Sequence, residues 1–275
     1  AADVLDLLGQ LVQKSLVVME PSGSRYRMLE TVRAYGAEKL AEAGDEAPAR
    51  ARHVAHFVEF ADTARSRLAG PEQARWLSML DLERENMLGV HAWCGVDPSC
   101  LQQGLRLMFL LKIYWHARGL LSLGHRITLE ALHRTSARER TFERCRALCD
   151  AGQLAYHMGH YAEARGLLEE SHEIALELGN RERLSALLAP LGMAQAATGD
   201  RARAIATFES AAAVSKELGQ QRQTAVALNA SAQLHRAGGD LPRAQALYGQ
   251  VLDLLEGLED QESIAIALLN WRLVR

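Results

Sequence analysis

The chain has 275 residues, 48% of them hydrophobic and 24% charged, with a formal net charge of -3; this is a globular composition long enough for one or two domains, and it excludes collagen, disorder and a membrane protein. Aromatic residues make up only 5% while Ala and Leu abound, which favours helices packed through small and aliphatic side chains over a sheet-rich core. A charge so near zero gives no whole-molecule field towards nucleic acid or anionic lipid, so any basic patch must be local.

The N-terminus begins Ala1-Ala2-Asp3, with no basic region followed by an apolar run and a cleavage site, so the expected location is cytoplasmic. Val4 to Val12 reads as an apolar helix, Leu16 to Met19 as a short strand, Pro21-Ser22-Gly23 as a turn and Arg25 to Met28 as an antiparallel return. Leu29 to Ala43 continues as a helix that stops at Gly44. From Arg50 to His116 the pattern is helical again, with breaks at Gly70-Pro71 and Asp97-Pro98. The longest apolar stretch, Leu107 to Trp115, is interrupted by Lys112 and falls far short of the roughly 20 residues that cross a bilayer.

The second half carries an internal repeat. Gly159-His160-Tyr161-Ala162-Glu163-Ala164 returns at Gly199 to Ala204 and again at Gly239 to Ala244, a spacing of 40 residues each time. Leu168, Phe208 and Tyr248 share one column, Glu177-Leu178-Gly179 recurs as Glu217-Leu218-Gly219, and one step backwards Gly119 and Gly124 mark a degenerate first copy. Each unit reads as two amphipathic helices joined at the Gly, as Leu184, Leu187, Leu188 and Leu191 before Gly199 and Ala204, Phe208 and Ala211 after it illustrate. Neither helix buries its stripe alone. The Ala column lets two backbones approach, and the bulky residue four places later is expected to fill the gap towards the next unit. Pro190 lies inside a first helix and should kink it.

Gly192, Gly199, Ala204 and Phe208, less fully Gly152, Gly159, Ala164 and Leu168, and in the third copy Gly239, Ala244 and Tyr248, resemble the tetratricopeptide repeat family in its longer, MalT-like variant. The first segment, Val4 to Val17 with Arg25 to Tyr35, looks like the closing part of the winged-helix domain that follows the nucleotide-binding module in STAND-class regulators of bacterial transcription, including LuxR-type ones. Gly70 to Leu77 and Glu83 to Met87 look like their helical linker. The resemblance implies an all-α fold: a partial winged helix with a short β-hairpin over 1–45, a helical linker over 46–105, and a right-handed α-α superhelix of about four helix pairs plus one unpaired terminal helix over 106–275.

The same resemblance marks Met28-Leu29-Glu30 as the place of a Met-His-Asp triplet whose His meets a nucleotide phosphate. Leu29 offers no hydrogen bond, and no GxxxxGK[ST] occurs, so this chain alone should not hydrolyse ATP. Direct DNA reading is not expected, since the helix from Val4 to Gln13 carries Asp6 and no cation before Lys14, although Arg25, Arg27 and Arg33 could meet phosphates. Arg134, Arg138, Arg140, Arg144 and Arg146 form the densest basic stretch, read as a solvated helix surface with ion pairs internal to it through Glu139 and Glu143. Cys94, Cys100, Cys145 and Cys149 read as free thiols. Cys145 with Cys149, His53 with His56, and His91 with Cys94 have two-ligand spacings without a four-ligand signature, so neither a metal nor another cofactor is expected. No HExxH, GxSxG or CxxC appears, and no enzyme is expected.

What the repeat does offer is a concave face made by its first helices. By register, Arg146, Gln153, Tyr156 and His157, then Met193 and Ala197, then Asn229, Gln233 and Arg236 line it, polar at both ends around a small apolar middle. The resemblance implies that this face receives a regulatory protein, a peptide or a small-molecule inducer, and that an ATPase module upstream in the same chain receives the signal. A free-standing scaffold that assembles other proteins is the alternative. The segment from Ser263 to Arg275, with Ile264, Ile266, Leu268, Leu269 and Trp271, matches the first helix of a fifth unit and is apolar for a cap, which suggests an excised fragment or a last helix that pairs with another molecule.

Overall fold

The computed structural model describes residues 2–20, 25–134, 138–256 and 268–272 and falls into two compact units, 1–56 and 57–275. The first unit starts with α1 (Ala2–Gln13). Lys14, Ser15 and Leu16 close the helix end with backbone bonds to Gln10, Val12 and Leu11, and Ser15 takes φ 57°. The chain then enters β1 (Val17–Met19), which pairs antiparallel with β2 (Tyr26–Met28) in the register Val17 to Met28, Val18 to Arg27 and Met19 to Tyr26. The expected turn at Pro21 to Gly23 lies outside the described residues. Val17 turns inward. Leu29 caps α2 (Glu30–Glu42), where Glu30 accepts from Arg33 at 2.6 Å and Gly44 at φ 74° ends the turn.

The expected helices and breaks of the middle segment are α3 (Glu46–Arg67), α4 (Gln73–Val96) and α5 (Leu101–Ala117). Trp76 of α4 meets Phe60 of α3 at 6.0 Å between ring centroids, and Asp81 of α4 accepts from Tyr114 at 2.8 Å and from Arg118 at 2.5 Å. No helix among the described residues is long and apolar enough to cross a membrane.

From α5 onward the chain is a stack of antiparallel pairs: α5 with α6 (Leu121–His133), α7 (Phe142–His157) with α8 (Tyr161–Glu177), α9 (Arg181–Ala197) with α10 (Arg201–Glu217), and α11 (Gln221–Ala237) with α12 (Leu241–Glu256). The first helices α5, α7, α9 and α11 also touch in succession, which makes the core continuous from pair to pair. The repeat fixes where each helix stops. Gly119, Gly159, Gly199 and Gly239 all stand at φ between 66° and 85°, a backbone state that any side chain would strain. The next helix is then capped, with Asp200 and Asp240 accepting from the backbone N–H of Arg203 and Arg243.

The contact between the two helices of a pair corrects one expectation. The bulky column is not directed first at the neighbouring unit: Phe208 is seated on Gly192 of its own pair, where an added Cβ would stand 2.8 Å from the ring, and Leu168 is seated on Gly152 at 2.7 Å. The missing side chain leaves a notch, and the large residue fills it. In the first copy the parts are exchanged. Gly124, read as a lapse in the Ala column, is the notch for Trp115, whose ring would lie 2.6 Å from a Cβ there. At the far end Ala232, Ala244, Leu247 and Tyr248 form one buried cluster against which Trp271 packs; of the expected fifth-unit helix only residues 268–272 are described, and they are helical.

Pro190 does not interrupt α9, which continues to Ala197. Pro lacks the N–H that would bond Ala186 and crowds that turn, so Pro190→Ala is expected to raise stability by about 1–3 kcal/mol. Urea denaturation of the two proteins measures it, and a loss of stability in the Ala variant contradicts it.

Candidate functional site

The first helices carry the sequence-derived residues as columns 40 apart, Gln153, Met193 and Gln233 in one and Tyr156 and Arg236 in another. They fall on three helices. Arg146 and Gln153 sit on α7 among charged neighbours, Tyr156 and His157 lie at its C-terminal end, Met193 and Ala197 lie on α9, and Asn229, Gln233 and Arg236 lie on α11. Asn229 accepts from Asn270 at 3.4 Å, and Arg236 lies beside the Tyr248 hydroxyl.

The richest chemistry is on α7. Lys112, the cation that interrupts the apolar run of α5, donates to Asp150 at 2.9 Å and to Gln153 at 3.1 Å. Gln153 in turn donates to the Cys149 sulfur at 3.1 Å. Asp150 is 4% exposed and its second oxygen is buried without a partner among the described residues. Beside this pair, two guanidiniums stack on one ring: Arg65 of α3 lies 3.8 Å and Arg146 3.2 Å from the Phe109 centroid. Arg65 also donates to the Phe109 carbonyl at 2.8 Å. Phe142 carries Arg146 at 5.1 Å on one side of the cluster and Arg183 of α9 at 6.0 Å. Such stacking holds the planar heads in place and contributes about 0.5–2 kcal/mol each, depending on solvent access.

Burial lowers the pKa of Arg146, and Arg183 and Arg65 nearby lower it further against the pull of Asp150 and Glu143. Arg65 is lowered by burial, with Asp150 and Asp62 opposing. Both remain charged at any ordinary pH, because a guanidinium starts so high. The site can therefore fix a positive field and offer directed N–H donors. Burial raises the thiol pKa of Cys149, which keeps it protonated and inert as a nucleophile. All four cysteines are free and buried. Among the described residues no group of three or more His, Cys, Asp or Glu is placed to hold a metal ion.

Arg65, Phe109, Asp150 and Arg183 went unnoticed in the sequence reading. The available signal was a lone cation, Lys112, inside one apolar run and a lone carboxylate, Asp150, inside another. The basic stretch also needs correction. Its ion pairs are not internal but reach other helices, with Arg140 bonding Glu177 and Arg144 bonding Glu170 at 2.6 Å and the Leu132 carbonyl at 3.0 Å. Arg134 caps α6 and donates to the His91 carbonyl at 2.7 Å.

A cleft of about 690 Å³ lies between the second helices α8 and α10, floored by Leu184, Leu188 and Leu191 of α9 and rimmed by Glu169, Glu173 and Arg203. No sequence-derived site residue lines it. A smaller one of about 320 Å³ recurs between α10 and α12 over Thr224 and Leu228, in register with the first. In the preceding copy Arg144 occupies the position of Leu184 and spans from Glu170 to Leu132. These clefts are a by-product of the repeat.

His157 and His116 rings meet at 4.8 Å. Burial lowers the pKa of His157, as it does for His53, His91, His125 and His172. Below the ordinary value near 6.5 the unfolded chain binds protons that the folded one refuses, so stability is full above that value and is lost as pH falls through the lowered folded values. The melting temperature is expected to drop between pH 7.5 and 5.5, with the drop reduced in His91→Asn. An equal drop in that variant excludes His91 as a contributor.

Residues 182–257 match the family model described as tetratricopeptide repeat. Similar curated proteins include one named "Putative HTH-type transcriptional regulator" from Mycobacterium tuberculosis, 33% identical over 159 residues that cover 55% of this chain and 18% of the relative. The chain thus spans under a fifth of the length of that relative. Among solved structures, BtubC from P. vanneervenii matches with TM-score 0.59 at 16% identity over 73% of this chain and 82% of that one. A signal transduction ATPase with numerous domains (STAND) from Pyrococcus horikoshii, with a tetratricopeptide repeat sensor, matches with TM-score 0.55 at 14% identity over 97% of this chain and 42% of that one. At such identities these structures share the fold. The family match falls on α9 to α12, which are tetratricopeptide-type helix pairs; the pairs before them share the stacked helix-pair fold.

Proposed function

We propose that this chain is the sensor and protein-interaction region of a STAND-type transcriptional regulator, with a partial winged helix at 1–45, a helical linker at 46–105 and the array at 106–275 acting together. The array receives a regulatory protein, a peptide or a small inducer on the face of its first helices. The winged-helix remnant then passes the change to an ATPase module of the same polypeptide. The observation that carries this reading is the 33% identity to curated proteins named as HTH-type transcriptional regulators, over 55% of this chain. The order of the pieces supports it, with helix, hairpin and helix first, then a helical segment, then the repeats, as does the fold match along 97% of this chain to a STAND protein with a tetratricopeptide repeat sensor.

The test uses the intact gene product. A phosphate-binding loop encoded upstream of Ala1, together with a transcriptional response that vanishes when residues 142–256 are deleted while the protein still accumulates, is the expected result. A response that survives the deletion overturns the reading. An intact polypeptide without such a loop makes the free-standing scaffold the better account.

A further inference from the structure

We infer that Cys94 and Cys100 form a redox-active thiol pair that a hydroperoxide converts to a disulfide, fastening the end of α4 to the start of α5, with Arg134 as the assisting cation. Cys94 lies in the last turn of α4, and Cys100 closes the short 3-10 turn Pro98–Cys100 and caps α5. The Asp97-Pro98 break folds the chain back, so that the two thiols act directly on each other. Gly104, one helical turn after Cys100, leaves room for this: a Cβ there would stand 2.9 Å from the Cys94 Cβ and 3.3 Å from its sulfur. The same point is 3.5 Å from Arg134 Nη1, a buried donor without an acceptor among the described residues. Asp97 fixes the turn by accepting from the Ser99 N–H at 2.9 Å, and it also accepts from the Cys100 thiol at 3.7 Å. Nothing in this arrangement depends on what the array binds.

A cysteine buried as a small apolar residue has no need of such neighbours. The other two cysteines show the contrast. Cys145 and Cys149 stand four apart on one helix, a spacing that holds Cβ atoms about 5–6 Å apart, beyond the reach of a disulfide. Cys145 is instead turned to the Ser171 carbonyl at 3.3 Å. At the α4–α5 corner the two thiols divide the work. Burial and Cys100 push the Cys94 thiol up to about 12, against the pull of Arg134, so Cys94 is not the first to react. Cys100 stands at the N-terminal end of α5, where the helix dipole favours an anion, under a corner whose Val96, Pro98 and Ser99 are exposed. Its thiolate attacks one oxygen of the hydroperoxide and the O–O bond breaks. The other oxygen takes up the thiol proton and leaves as an alcohol or, from hydrogen peroxide, as water, and Cys100 becomes a sulfenic acid. The Cys94 sulfur then attacks that of Cys100, the S–O bond breaks, and the hydroxide leaves with the Cys94 proton as water. Arg134 offsets the negative charge that builds on Cys94 in this step. The hydroperoxide is reduced and the two thiols are oxidised.

The experiment treats the full chain with hydrogen peroxide in small molar excess, blocks the remaining thiols with iodoacetamide in denaturant, and measures by mass spectrometry the tryptic peptide 85–106, which holds both cysteines. The expected product is this peptide unalkylated and lighter by two hydrogens, restored by dithiothreitol, while Cys145 and Cys149 are alkylated. Cys94→Ser is expected to trap a sulfenic acid on Cys100 that dimedone labels, whereas Cys100→Ser is expected to leave Cys94 unlabelled. Arg134→Gln should slow disulfide closure by roughly tenfold to a hundredfold, and Arg134→Lys, which keeps the charge, should recover most of the rate. Thermal melts confirm that each variant folds. Cys94 and Cys100 that remain alkylated, or that oxidise no faster than Cys145 and Cys149, overturn the pair. Label on Cys94 in place of Cys100 overturns the division of work between them. Closure at the parent rate in Arg134→Gln, or no recovery in Arg134→Lys, overturns the part given to Arg134.

Discussion

Truncating Phe208 to Ala is expected to cost about 3–5 kcal/mol of stability, the range for emptying a fully packed aromatic position. Phe208 is 2% exposed and seated in the notch of Gly192. Its ring holds α9 against α10, so the void opens inside one pair and the surrounding helices can close it only by sliding past each other. The converse change, Gly192→Ala, places a methyl 2.8 Å from the ring and should cost about 1–3 kcal/mol by overpacking. Combined, the two changes should cost less than their sum, because the new methyl occupies part of the space the ring vacates. Urea denaturation of the four proteins provides the cycle. Additivity within about 0.5 kcal/mol would mean that the notch and the ring are independent features.

That contact also shows how much of the molecule could be read in advance. The 40-residue register, the Gly turns and the Ala column were legible because each answers to a local constraint: a positive φ, a helix cap, a close backbone approach. The register also placed Arg146, Gln153 and Tyr156 on a first helix, and α7 carries all three. What stayed hidden depends on the reach of long side chains between helices some 40 residues apart. Gly124 looked like decay of a pattern until Trp115 was seen to occupy its notch. Arg144 looked like part of a solvated surface until it was seen to bridge Glu170 and Leu132. Neither the stack of Arg65 and Arg146 on Phe109 nor the pairing of Lys112 with Asp150 has any periodic signature, since each occurs once in the array. The features that repeat build the scaffold, and those that occur once give it a candidate chemistry.

The pairing of Lys112 with Asp150 leads to the second large effect: Asp150→Ala is expected to cost about 3–5 kcal/mol, towards the lower end because the Lys112 side chain is 23% exposed and can recover some water. The loss is not simply that of one ion pair. Asp150 also opposes the mutual repulsion of Arg146 and Arg65, so its removal leaves Lys112 unpaired and the guanidiniums without their nearest negative charge. Lys112→Met should be milder, since the carboxylate it strands still faces those arginines. Replacing both, as Lys112→Met with Asp150→Leu, should recover much of the single-variant loss, because no buried charge of that pair is then left uncompensated. Chemical denaturation at low and high salt separates the contributions. If repulsion among the cations is a real part of the cost, the Asp150→Ala deficit shrinks as salt rises, while the deficit of a cavity such as Phe208→Ala does not. A deficit in Asp150→Ala that is the same at both salt concentrations would reduce Asp150 to a partner of Lys112 alone.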